Sequence, residues 1–134
     1  MKKAILIVFT CLSITGITKS QTWTPAGTGM NGNVLSLFAT DSLLFAGGTF
    51  TTAGGNPANN IAQWDSTKWV ALGVGINGAV KAIVVFKGKV YAAGRFNIAG
   101  GNSANNIAVW DGSNWSALGA GVNDTVRALA IYNG

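Results

Sequence analysis

The stretch GGNPANNIAQWD, residues 54–65, is written again as GGNSANNIAVWD at residues 100–111, and only Pro57/Ser103 and Gln63/Val109 differ. The two copies stand 46 residues apart. Sliding the chain on itself by that spacing brings Trp23 onto Trp69 and Trp115, and Trp64 onto Trp110. Gly27 and Gly29 fall on Gly73 and Gly75, then on Gly119 and Gly121. Asn31, Asn77 and Asn123 match, as do Val34, Val80 and Val126, and Phe50 falls on Phe96. No insertion is needed from residue 22 onward. Self-similarity at a fixed period marks a repeat architecture, in which each unit shows the same loop to its neighbours. Gly54, Gly55, Gly100 and Gly101 permit backbone with φ > 0. Asn59, Asn60, Asn105 and Asn106 can hydrogen-bond loop backbone. The repetition is therefore structural first.

Each unit reads as four short strands. Val80 to Phe86 is rich in Val and Ile and ends at Lys87-Gly88, a turn signal that Asn133-Gly134 repeats. Lys89 to Phe96 follows, then the Gly/Asn-rich loop, then Ile107 to Trp110. Asp111-Gly112 turns the chain into Trp115 to Leu118. Short runs divided by Gly, Asn and Asp suit strands and leave no room for a helix. Four strands per unit of this length is the signature of a β-propeller blade. The expected fold is all-β, built of four-stranded antiparallel blades in an incomplete ring.

The details resemble the kelch and galactose-oxidase-like group. Leu43-Leu44-Phe45-Ala46-Gly47-Gly48 looks like the apolar run and double glycine that end a kelch second strand, although Ala93 replaces the first glycine in the second unit. Trp64 and Trp69, with Trp110 and Trp115, resemble that motif's spaced aromatics. The pattern is closer still to the WDGxxWxALGxGxN…YxGGxF repeats of secreted bacterial proteins, often carrying a type IX sorting signal, and of fungal cortical polarity-marker proteins. That resemblance implies a secreted or surface propeller and names no ligand.

The N-terminus fits export. Lys2 and Lys3 precede an uncharged, mostly apolar run from Ala4 to Ile17, with Thr18 and Ser20 just before Gln21. A basic start, an apolar centre and a small-residue site read as a secretory signal peptide, and the run is too short to span a membrane. Residues 1–20 are thus expected to be removed. Residues 21–29 are read as an N-terminal outer strand that closes the ring, 30–75 and 76–121 as two blades, and 122–134 as the first strand of a truncated third blade. Propellers need about four to eight blades, so the expected partners of these units are further C-terminal blades.

Removing Lys2, Lys3 and Lys19 from nine basic residues leaves six against four acidic ones, and Cys11 goes with them. The six are scattered, whereas a nucleic-acid footprint wants them clustered. Without His, Glu or a mature Cys, catalytic triads and zinc sites have no ligands to use. Gly27 to Gly32 and Gly73 to Gly78 match G-x-G-x-x-G, but a dinucleotide loop must lead into a helix and these lead into strands. Asp65 and Asp111 sit at turns, where Asp bonds backbone, rather than in a metal set. The Trp residues suit packing between blades, with a sugar-stacking platform as the alternative. Asn123-Asp124-Thr125 is a formal glycosylation sequon. No catalytic, cofactor or metal residue is assigned, and the repeat positions Gly54, Gly55, Trp64, Asp65, Trp69, Gly100, Gly101, Trp110, Asp111 and Trp115 are read as structural. The expected role is a non-catalytic, secreted or cell-surface repeat protein that binds, adheres or builds surface structure, its partner an extracellular protein or glycan. The alternative is a secreted propeller enzyme whose catalytic residues lie beyond residue 134.

Overall fold

The structure, a computed structural model, describes residues 25–132. The signal-peptide reading, the cleavage before Gln21, Trp23 and the Asn133-Gly134 turn lie outside the described residues. Within them the fold is all-β, and the strands pair antiparallel throughout.

Unit 1 contains β1 (Asn33–Ala39), β2 (Leu44–Thr49), β3 (Thr52–Ala53), β4 (Asn56–Pro57), β5 (Ile61–Trp64) and β6 (Trp69–Ala71). Unit 2 repeats the set as β7 (Ala79–Phe86), β8 (Lys89–Arg95), β9 (Ile98–Ala99), β10 (Asn102–Ser103), β11 (Ile107–Trp110) and β12 (Trp115–Ala117). Each unit forms one four-stranded sheet, ordered β1-β2-β5-β6 and β7-β8-β11-β12. Even the irregularities recur. The register shifts between Val34 and Ser36 in β1, and between Val80 and Ala82, their counterparts, in β7.

The Gly/Asn-rich stretch is more ordered than a loop. Thr52–Ala53 pairs with Asn56–Pro57, and Ile98–Ala99 with Asn102–Ser103, as small hairpins set between the second and third strands of each sheet. Gly54 (φ 59) and Gly55 (φ 83) make the two-residue turn, as do Gly100 (φ 60) and Gly101 (φ 85). Two consecutive positive φ angles define the type I′ turn, whose twist suits a tight hairpin.

Two segments of the sequence reading lie outside the ladders of the described residues. Residues 26–29 form a turn rather than strand, because Gly27 (φ 64) and Gly29 (φ 78) break extended backbone. Of the three positions that match β6, only Pro25 is described. Residues 126–132 lie in no ladder among the described residues, although the Val126 N–H donates to Gly94 O at 3.0 Å.

The two sheets pack face to face, with β7 lying against β1 and β2. Phe45, Ile61 and Leu72 of unit 1 join Ile76, Val80, Ile83, Phe96 and Trp115 of unit 2 in one buried cluster. Gly47 lets the sheets approach: a Cβ there would lie 2.5 Å from Val80 Cγ1 and 2.9 Å from Ile83 Cδ1. A second cluster of Ala46, Phe50, Ala53, Ala58, Ala62 and Trp69 lies on the opposite side of unit 1.

Candidate functional site: the joint between repeat units

The repeated residues converge on the segment that links one unit to the next. Leu72 to Asn77 runs from the end of β6 toward β7, and it is gripped from both sides. From unit 1, the Ile76 N–H donates to Asn59 O at 3.0 Å. The Asn59 Nδ2 donates to Val74 O at 2.9 Å, and the Asn60 Nδ2 to Ile76 O at 2.7 Å. From unit 2, the Trp115 Nε1 donates to Leu72 O at 2.8 Å and the Gly100 N–H to Gly75 O at 2.8 Å. Asn77 closes the grip, its Oδ1 accepting from the Asn97 and Ile98 N–H groups at 3.2 and 3.0 Å.

The same bonds recur one period away. Trp69 Nε1 donates to Ala26 O at 2.9 Å, and the Gly54 N–H to Gly29 O at 2.7 Å. Asn31 Oδ1 accepts from Thr51 and Thr52 N–H, both at 2.9 Å. Asn105 Nδ2 reaches Ala120 O at 3.2 Å, and Asn106 Nδ2 reaches Val122 O at 2.8 Å. Asn60 (φ 63) and Asn106 (φ 60) hold left-handed backbone, which Asn tolerates better than most residues. That explains the repeated Asn pair: one amide bonds the joint while its backbone turns the corner.

The Trp residues are placed as packing groups. Trp69 and Trp115 are buried, and Trp64 and Trp110 pack half-buried beside them. The pairs stand at 5.6 Å and 5.5 Å between ring centroids with tilted planes, a favourable geometry for aromatic pairs. A Cβ at Gly100 would lie 2.8 Å from Trp115 Cβ, so the ring also dictates that glycine. Gly54 and Trp69 are similarly close, at 3.2 Å.

Asp65 and Asp111 cap turns. Asp65 Oδ1 accepts from the Thr67 Oγ1 at 2.6 Å and from the Lys68 and Thr67 N–H groups at 2.9 Å each. These bonds, the Thr67 hydroxyl first, pull its pKa down to about 2. Asp111 Oδ1 accepts from Asn114 and Ser113 N–H at 2.8 Å each, which also lowers its pKa. Ser66 (φ 79) occupies the left-handed corner of the first turn and Gly112 (φ 103) that of the second. Among the described residues no three His, Cys, Asp or Glu side chains gather where a metal ion could be held. Both G-x-G-x-x-G stretches lead into strands, β1 and β7.

One feature departs from the repeat. A shallow recess of about 370 Å³ is lined by Asn77, Gly78, Arg95, Phe96, Asn97, Asn105 and Asn106. Arg95 and Asn97 stand where unit 1 has Thr49 and Thr51. Most of its amides are already bonded to the joint, Asn106 Oδ1 also accepting from the Phe96 N–H at 3.1 Å, so the recess places Arg95 beside a largely satisfied floor.

The sequence alone did not assign Asn31 and Asn77 a role, although their alignment with Asn123 was the available signal. The reach of Trp Nε1 across 43 positions was likewise invisible, because it depends on how units stack. No family model matches this chain, and no curated protein matches it either.

Proposed function

We propose that the chain is a non-catalytic, exported repeat protein whose sheets are β-propeller blades of the kelch-like kind, serving extracellular binding, adhesion or surface structure. The observation that carries this reading is where the repeated polar groups spend themselves. Asn31/Asn77, Asn59/Asn105, Asn60/Asn106, Asp65/Asp111 and Trp69/Trp115 all bond backbone, the Asn60/Asn106 and Trp69/Trp115 bonds reaching from one unit to the next. An enzyme needs one asymmetric constellation of reactive groups, whereas here the equivalent groups do the same structural work in each unit. The meander of four antiparallel strands stacked face to face at one period supports blades. The N-terminal run from Lys2 to Ser20 supports export.

The test has two arms. The exported product should have the mass of a chain beginning at Gln21; a product that keeps Cys11 contradicts export with cleavage. Asp65→Asn and Asp111→Asn should each lower the melting temperature while leaving attachment to the native cell surface at the wild-type level. Lost attachment at an unchanged melting temperature would make that aspartate a functional group and overturn the scaffold reading.

A further inference from the structure

The recess beside Arg95 sits where the two units differ. Of the residues that line it, Asn77, Gly78, Phe96, Asn105 and Asn106 are matched letter for letter in unit 1 by Asn31, Gly32, Phe50, Asn59 and Asn60. Only two change: Arg95 stands in place of Thr49, and Asn97 in place of Thr51. Both changes add side-chain N–H donors, and the first adds a positive charge. A following unit does not close this place. Thr49, Thr51 and Asn59 stay exposed although unit 2 is stacked on unit 1, and Arg95, Asn97 and Asn105 are exposed in the same way.

The groups around the recess are held in place before any ligand arrives. Asn77 Oδ1 accepts from the Asn97 and Ile98 N–H groups, and Asn106 Oδ1 from the Phe96 N–H. Asn77 Nδ2 donates to Asn97 Oδ1 at 2.6 Å, which fixes the Asn97 amide and leaves its NH2 group at the opposite edge. A carboxamide carries two N–H donors, and the bonds to Ala120 O and Val122 O use one each from Asn105 and Asn106. Lys81 adds charge nearby: a Cβ on Gly94 would lie 3.0 Å from the Lys81 N, and unit 1 has Leu35 at that position. No acidic residue is among those that line the recess, and Asp124, two positions before Val126, lies outside it.

We propose, on the reading of the chain as an extracellular binding protein, that this recess binds the carboxylate of an acidic saccharide, a uronate unit of a glycan. Arg95 takes the carboxylate, for which a planar guanidinium offers paired N–H donors that an ammonium cannot. Asn97 and Asn105 supply amide N–H groups for the neighbouring hydroxyls. A volume of about 370 Å³ lies at the small end of ligand sites and suits one sugar ring. The opening is shallow, so a glycan chain can run across it with one unit seated. Polar amides rather than apolar walls surround Arg95, which favours a hydroxyl-rich ligand over an acidic peptide.

An NMR titration of the purified chain with a galacturonate tetramer tests the proposal, with the methyl-esterified tetramer as the uncharged control. The Arg95 Nε–H and Asn97 Nδ2 resonances should move with the acid and stay still with the ester. Arg95→Thr, which installs the residue of unit 1 at an exposed position, should keep the wild-type melting temperature. It should weaken binding by about tenfold or more, the factor a hydrogen bond to a charged group is worth. Arg95→Lys should recover only part of that loss. No movement up to about 10 mM acid, tenfold above a millimolar Kd, overturns the proposal. So does equal movement with the ester, or an Arg95→Thr variant that binds as wild type does. A peptide of Asp and Glu that moves the same resonances at lower concentration than the tetramer replaces the glycan by a protein partner and overturns it too. The titration is done in solution, so its failure removes the ligand alone; export and attachment are read on cells.

Discussion

At the residue scale, Trp115 carries the largest local consequence. Its ring is buried in the cluster between the two units, and its Nε1–H is bonded to Leu72 O. Trp115→Phe keeps an aromatic ring but removes one of the two donors to that carbonyl, which still accepts from the Gly75 N–H at 3.1 Å. One hydrogen bond contributes about 0.5–1.5 kcal/mol net, so the expected loss of unfolding free energy lies in that range, measured by urea denaturation. Trp69→Phe should cost less, because its bond to Ala26 O is only partly buried. Equal losses at the two sites would mean that ring packing, not the bond, dominates. The identity of these residues was legible in the sequence, because five Trp recurred at one period. Their hydrogen bonds were not, since the acceptor is fixed by the neighbouring unit's position.

At the element scale, the Asp-bearing turns between β5 and β6 and between β11 and β12 set a pH dependence. Folding lowers the Asp65 pKa to about 2, below the ordinary value of about 3.9 for an unfolded chain. A group whose native pKa is depressed contributes stability above its unfolded pKa and loses it as pH falls toward the native one. Asp111 has the same sign. The melting temperature should therefore hold steady above about pH 5 and fall between about pH 4 and 2. Asp65→Asn should melt lower than wild type at neutral pH, with the gap closing across that acid window. A gap that stays constant down to the acid end would show that the carboxylate's charge is not what the turn uses. Strand and turn positions of both sheets were readable because Lys87-Gly88, Asp65 and Asp111 punctuate apolar runs. The β3–β4 and β9–β10 hairpins were not, because pairs of two residues leave no alternation to detect.

At the scale of the whole molecule, stability is organised by joints. Each unit alone would leave a face of its sheet open, and the stacked pair buries Phe45, Ile61 and Leu72 against Ile76, Val80 and Ile83. Repeat proteins gain stability from such nearest-neighbour interfaces as well as from each unit. The period in the sequence therefore revealed the architecture of the units, and the two sheets follow it strand for strand. It did not reveal the behaviour of residues 126–132, which carry a strand's sequence without a described partner. Strand formation there depends on a neighbour rather than on local preference. The stretch at residues 54–65 reads the same way: its Asn pair is a clasp for the segment that leads into the next unit. Native-state hydrogen exchange on the double variant Asn59→Ala/Asn60→Ala tests this most directly, with amides followed separately in β2 and in β8. If the joint couples the units, β8 in unit 2 loses protection together with β2 in unit 1, although both substitutions lie in unit 1. Loss confined to unit 1, with β8 exchanging as in wild type, would contradict it.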